Sequence, residues 1–267
     1  MFLADYHIHT NFSIDSDEPM ENMIKSAIAK GMNEIAVTDH VDFDTKYYPN
    51  PDYTNYIPVF NNLKDKYKDQ IKIKLGVEIG LENMWSEKIN RFTCENNFDF
   101  IIGSSHAVQT LDLYFDQKEY FSTKTKNEAY TVYFEEILKN IEVCPDFNVY
   151  GHIDFVSRYG MYEDNSLNYN DYSDLIDLCL KSLIEKGKGI EINTSGFRYG
   201  IDCTYPSLTI LKRYKELGGE IITAGSDSHT AQDAADHIEY AYSLMKEAGF
   251  KYVTVFENKK PDFIKII

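Results

Sequence analysis

Arginine is scarce in this 267-residue chain: only Arg91, Arg158, Arg198 and Arg213 occur, and no run of Lys or Arg interrupts a formal charge of −16. A surface of that sign repels a polyanion, which argues against nucleic-acid binding of the counterion-release kind. Cysteine is sparse too. Cys94, Cys144, Cys179 and Cys203 lie far apart with no CxxC pair, so neither a zinc ribbon nor a secreted disulfide framework is expected, and the four read as ordinary buried thiols. No apolar run approaches the roughly 18 residues that cross a bilayer, and Met1-Phe2-Leu3-Ala4-Asp5 meets an acid too early for a secretory signal. The expectation is a cytoplasmic protein with no membrane partner.

What is present is ample core material. Apolar residues make up 43% of the chain, including 21 Tyr and 16 Phe, and the length suits one α/β barrel of about 250 residues, so residues 1–267 are expected to form a single domain. Short β-type runs recur at Leu3 to Tyr6, Glu34 to Val37, Ile73 to Val77, Phe98 to Ile102, Asn148 to Tyr150, Gly189 to Ile192 and Glu220 to Thr223. Amphipathic helical stretches lie between them at Pro19 to Lys30, Glu128 to Glu142, Tyr172 to Lys186, Ser207 to Leu217 and Ala231 to Ala248. Such alternation predicts a parallel sheet with crossover helices. Two long connections, Val41 to Tyr56 and Ala107 to Lys126, are expected to rim a pocket, and Tyr252 to Phe256 reads as a further strand without an assigned place.

Six of the seven histidines fall at or just after a predicted strand end: His7, His9, His40, His106, His152 and His229. Parallel barrels gather their sites at that end, so these distant positions can converge. His237 is read as a mid-helix residue with no role. His7 and His9 in Asp5-Tyr6-His7-Ile8-His9 leave a strand on one face, a spacing at which two imidazoles can share an ion. Thr38-Asp39-His40, Gly76-Val77-Glu78, Ser104-Ser105-His106, Gly151-His152-Ile153-Asp154 and Ser226-Asp227-Ser228-His229 each close another strand. Any one of them could be a turn or cap. Together, imidazoles and carboxylates without thiolate suit Zn, Mn or Fe, and paired cations can activate water without a Ser or Cys nucleophile.

The ordered set HxH, TDH, GxE, SxH, GHxD and SDSH resembles the polymerase and histidinol phosphatase (PHP) family over nearly the whole chain. The resemblance implies a distorted (β/α)7 TIM-like barrel with three divalent metal ions. Carried over position by position, it puts His7, His9, Glu78 and Asp227 on one ion, with Glu78 bridging to a second on His106 and His152. A third would take Asp15, His40 and His229, with Asp15 standing where many relatives have histidine and Asp17 as a substitute. The layout is similar to the family's histidinol-phosphate phosphatases, which implies a small phosphorylated substrate, L-histidinol phosphate, in histidine biosynthesis.

Around that set, Asp5, Asp39 and Asp154 are expected either to orient ligand histidines or to cap strand ends. Arg158 and Arg198 follow strand ends and are expected to grip the phosphate beside His40, since a guanidinium matches its oxygens bidentately. Asp15, Asp154 and His229 are the candidate acids for the departing alkoxide. Asp42, Asp44, Asp116 and Glu119 could face a cationic amine, or be solvated loop acids. Two alternatives stay open: a phosphoesterase acting on nucleotides or oligonucleotide ends, and a non-catalytic metal-binding module.

Overall fold

The computed structural model describes residues 1–43, 46–47 and 51–266. Seven parallel strands, β1 (Ala4–Ile8), β2 (Glu34–Val37), β3 (Lys72–Gly80), β4 (Phe100–Ser104), β5 (Val149–Tyr150), β6 (Gly189–Asn193) and β7 (Ile222–Gly225), pair in chain order. Each is followed by a main helix: α1 (Met20–Ala29), α2 (Tyr53–Tyr67), α3 (Ser86–Glu95), α4 (Lys126–Val143), α5 (Ser173–Glu185), α6 (Leu208–Glu216) and α7 (Ile238–Glu247). The result is a nearly closed (β/α)7 barrel. Among the described residues β7 and β1 share no continuous ladder. They are stitched at their C-terminal ends, where Asp227 N–H donates to His7 O (2.8 Å) and His9 N–H to Ser228 O (2.9 Å).

Two cores follow from strand alternation. Outward residues such as Ile35, Val37, Ile73, Ile101, Ile190 and Ile222 are buried under the helices, each worth about 1.5–3 kcal/mol of apolar burial. Ala4, Tyr6, Ala36, Phe100, Ile102 and Val149 fill the interior instead. The C-terminal hairpin, β8 (Tyr252–Glu257) and β9 (Lys260–Lys265), plugs the end opposite the site. Phe256 packs 5.0 Å from the Phe100 ring, and its N–H donates to Tyr6 Oη at 2.8 Å. That contact gives the Tyr252 to Phe256 strand its place.

Strand β1 departs from simple alternation. Its register against β2 slips between Asp5 and Ile8, so Tyr6 and His7 are neighbours that both face inward, Tyr6 onto Phe100 and His7 onto Glu78. An irregularity of this kind re-aims side chains beside a site.

The expected long loops are partly structured. The first ends in α2, which Asp52 caps by accepting from Thr54 N–H and which tolerates Pro58 at the loss of one backbone bond. The second contains a tight hairpin turned by left-handed Gln109 and Thr110, then a short helix at Gln117–Phe121. Helix α3 was not expected, because its polar sequence buries only Ile89 and Thr93. His237 is not mid-helix: it precedes α7 in a left-handed conformation and stacks on Phe197 at 4.4 Å. Among the described residues, no helix is long and apolar enough to cross a membrane.

Candidate metal centre

All nine residues read from the sequence as potential ligands lie at the C-terminal mouth of the barrel, arranged around Glu78. Glu78 Oε1 lies 2.9 Å from His152 Nε2 and 3.2 Å from His106 Nε2, and accepts from Ser104 Oγ at 2.7 Å. Its Oε2 lies 3.0 Å from His7 Nε2, 3.1 Å from His40 Nδ1 and 3.4 Å from His9 Nε2. Asp227 Oδ1 stands 3.6 Å from His7 Nε2 and 3.4 Å from His9 Nε2. On the outer side Asp15 Oδ2 is 3.0 Å from His229 Nε2 and 3.5 Å from His40 Nε2. Asp227 adopts a left-handed backbone, φ +53°, a conformation that is costly for most side chains, is tolerated by Asp, and clusters at functional sites.

These atoms fall into overlapping groups that could each hold a cation: His7, His9 and Glu78; Glu78, His106 and His152; His9, Asp15, His40 and His229; and His40, Asp42 and His106. The chemistry of the donor set fits. His7 Nε2, His9 Nε2 and Glu78 Oε2 are buried, both nitrogens lie within 3.4 Å of the oxygen, and none forms a hydrogen bond of acceptable geometry. Buried polar atoms without partners are costly, and a cation between them would satisfy all three.

The charge balance is correspondingly tense. Burial opposes charge on His7 and His106, yet the carboxylates around them win and hold both well above the ordinary imidazole range. Against the same burial, Asp15 and Glu78 push His40 up to about 9. Burial and the like charges of His229 and His40 instead push His9 down, and burial lowers His152. Burial would raise Glu78, Asp227 and Asp15, but the surrounding histidines depress all three.

Second contacts fix which ring nitrogen faces the centre. Ser13 Oγ donates to Asp39 Oδ1 (2.9 Å) and lies 3.1 Å from His9 Nδ1, so Asp39 orients His9 at one remove. His106 Nδ1 meets Asp42 Oδ1 at 3.2 Å. His7 Nδ1 meets Glu191 Oε1 at 2.6 Å, a residue that sequence reasoning missed. Its signal was present: Glu191 and Asn193 alternate with buried Ile190 and Ile192 along β6, which puts charge on an inward face.

Several expectations need correction. Asp154 is not on the cavity wall. It is buried behind it, faces the Ser207 N–H, and leaves His152 Nδ1 without a partner, so it neither orients that ring nor reaches a leaving group. Asp5 accepts from Ser226 N–H, Ala235 N–H and Ser226 Oγ, bracing the β1–β7 seam rather than a histidine ring. Asp42 is buried against His106 and is no loop acid. Asp116 accepts from Tyr47 Oη (2.6 Å) and Glu119 is exposed, neither of them on the cavity, while Asp44 lies outside the described residues.

The cavity over the cluster has a volume of about 570 Å³, within the range of small-molecule sites. Arg158 and Arg198 both reach it. Arg158 is nearly buried, donates to Ser195 Oγ, lies 3.4 Å from Asp227 Oδ2, and rests on the Phe155 and Tyr199 rings at 4.7 and 4.4 Å. Arg198 donates to Asp227 O at 2.6 Å. Each keeps a buried nitrogen without a partner, Arg158 Nε and Arg198 Nη1. Arg213, by contrast, is spent in a fork on Asp177.

A nearly closed (β/α)7 barrel carrying such a cluster belongs to the metal-dependent hydrolase class. Residues 5–195 match the PHP domain, and the chain belongs to that family. It is 36% identical to the histidinol-phosphatase of Lactococcus lactis subsp. lactis (strain IL1403) over 262 residues, 97% of this chain and 96% of that protein. It is 33% identical to a probable histidinol-phosphatase of Clostridium acetobutylicum, covering 96% and 97% of the two chains. The crystal structure of the Lactococcus lactis histidinol phosphate phosphatase, complexed with Zn, L-histidinol and phosphate, superposes with a TM-score of 0.91 at 35% identity, covering 97% of this chain and 98% of that one.

Proposed function

We infer that this chain is a histidinol-phosphatase, hydrolysing L-histidinol phosphate to L-histidinol and inorganic phosphate, and that residues 1–267 act as one domain. The observation that carries the reading is the Glu78-centred cluster lying under a cavity whose wall holds Arg158 and Arg198. Similarity over nearly the whole chain to one histidinol-phosphatase and one probable histidinol-phosphatase points to the substrate.

His7, His9, Glu78 and Asp227 would hold one divalent cation, Glu78 with His106 and His152 a second, and Asp15, His40 and His229 a third. Imidazole and carboxylate donors admit Zn, Mn or Fe, and the Lactococcus lactis structure contains Zn. Bound there, the cations supply Lewis-acid activation of water and neutralise phosphoryl charge. The chain does the rest. Arg158, already immobilised by Asp227, Ser195 and its aromatic bed, presents its free Nε to a phosphate oxygen with little further loss of freedom. Arg198 takes another oxygen, and His40, on the same cavity wall, borders the phosphate as a ligand of the third cation. Asp15 and His229, 3.0 Å apart on the cavity wall, would orient the water that protonates the leaving oxygen, since with the third cation bound neither facing atom carries a proton of its own.

The charge of −16 and a site with two arginines favour a small substrate over nucleic acid. Four unpaired cysteines, two of them buried, favour a reducing cytoplasm. The test is turnover of L-histidinol phosphate against a nucleotide panel, with metal content measured on the same sample. A preference of at least about tenfold in kcat/KM, some 1.4 kcal/mol, is expected. Equal turnover of a nucleotide would redirect the assignment to a nucleotide phosphoesterase, and no turnover by cation-loaded protein would leave a non-catalytic module.

A further inference from the structure

Arg158 and His7 serve different ends of the proposed chemistry, one gripping phosphate and the other a cation, yet buried groups that never touch the cavity join them. Arg158 donates to Ser195 Oγ, which donates to Asn193 Oδ1; Ser195 N–H also donates to that oxygen at 3.0 Å. Asn193 Nδ2 donates to Glu191 Oε2 at 3.2 Å, and Glu191 Oε1 meets His7 Nδ1 at 2.6 Å. Glu191 Oε2 also accepts from His152 N–H at 3.0 Å. Glu191, Asn193 and Ser195 are each at most 1% exposed, and none lines the cavity.

A second observation comes from the neighbouring strand. A Cβ at Gly225 would lie 2.2 Å from Glu191 Oε1 and 2.4 Å from His7 Cβ. Strand β7 has given up a side chain where the His7–Glu191 pair sits, so the space is shaped for that pair.

Resting on the reading of function above, we propose that Glu191, Asn193 and Ser195 are positioning residues that lock the cation-facing His7 and the phosphate-facing Arg158 into one rigid unit. Glu191 Oε1 accepts a hydrogen bond from His7 Nδ1–H, which leaves the Nε2 lone pair aimed at the centre. The same carboxylate anchors Asn193, which anchors Ser195 and through it the guanidinium. Cation retention and phosphate binding then depend on one buried carboxylate that contacts neither ligand.

Equilibrium measurements on the full chain test this without requiring turnover: Zn affinity by chelator competition, and inorganic phosphate affinity of the Zn-saturated protein by calorimetry. Glu191→Gln should weaken Zn by roughly ten- to a hundredfold. At saturating Zn it should also weaken phosphate by at least about threefold, through Arg158. Ser195→Ala should weaken phosphate by a similar factor with Zn affinity within about twofold, and Ser195→Thr, which keeps the hydroxyl, should restore it. Circular dichroism of the chelated proteins checks folding, and should Glu191→Gln misfold, the two Ser195 variants decide the question. Parental Zn affinity in folded Glu191→Gln, or parental phosphate affinity in Ser195→Ala, overturns the relay. A parent chain that binds Zn but no phosphate overturns the functional reading instead, while Glu191→Gln still decides the His7 link.

Discussion

Replacing Glu78 by Gln keeps the shape of the side chain and removes one charge from the middle of the cluster. Five imidazoles from four strand ends lie within 3.4 Å of its two oxygens, so one carboxylate serves both of the inner cation groups. A unit charge about 4 Å from another is worth about 4 kcal/mol at an effective dielectric near 20, and a divalent ion feels at least that. Each inner cation should therefore lose about 4 kcal/mol or more, roughly a thousandfold in affinity. The amide also turns one end from acceptor to donor, facing ring nitrogens that already have too few partners. Elemental analysis after dialysis against a weak chelator should find two ions lost together and the Asp15, His40, His229 ion least affected, with kcat/KM down by about a thousandfold or more. Asp15→Ala should do the reverse, releasing one ion. Glu78→Gln protein that retains its inner cations with parental affinity would refute the bridging geometry.

Arg158→Ala and Arg198→Ala should each lower kcat/KM by about ten- to a hundredfold, from lost charge-assisted contacts of roughly 1.5–3 kcal/mol. Cations should be retained and Lys should restore only part of the activity, so unchanged kcat/KM would remove either residue from phosphate binding. Asp154→Asn tests the acid displaced from the cavity. Burial lifts its carboxyl to about 7 from 3.8, so the fold holds a proton there that the unfolded chain releases; stability from this group is full below about pH 3.8 and lost as pH rises toward 7. The substitution should raise stability at pH 8 but not at pH 4, by up to about 4 kcal/mol at 1.36 kcal/mol per unit, read as a higher melting temperature at pH 8 only, with kcat/KM within about threefold; a hundredfold activity loss would reinstate Asp154 as a catalytic acid. In the cation-free protein His40 stays protonated up to about pH 9, and a cation must displace that proton. Apparent Zn affinity should therefore climb between pH 6.5 and 9, and a pH-independent affinity would contradict the protonated cluster.

The strand ends were legible because a parallel barrel turns local spacing into convergence. Six of the seven strands deliver a His, Asp or Glu at or just past their ends to the same mouth, so HxH, TDH and SDSH could be read without knowing any tertiary contact. The barrel's distortion was not legible. Nothing in Ala4-Asp5-Tyr6-His7-Ile8 announces the slip that turns both Tyr6 and His7 inward, since that register is set by β2 and by the stitching of His7 and His9 to Asp227 and Ser228. Helix α3 stayed hidden for a related reason: with only Ile89 and Thr93 buried, packing against the rest of the chain decides its existence more than any pattern of its own.

The aspartates show where sequence proximity misleads. Asp5, Asp39 and Asp154 each lie within two residues of a cluster histidine, yet not one bonds directly to that histidine's ring. Alternation explains the failure. A residue two positions from a ligand shares its face only while the strand continues, and each of these motifs lies where a strand ends or bulges. The ring partners come from elsewhere: Glu191 for His7 from 184 positions away, Asp42 for His106 from 64. A buried imidazole needs its acceptor at the far side of the ring, some 5 Å from its own backbone, and in a barrel that point belongs to the neighbouring or facing strand. Orienting carboxylates are therefore better sought as charged residues on the inward face of another strand, as Glu191 is on β6, than beside the histidines they serve.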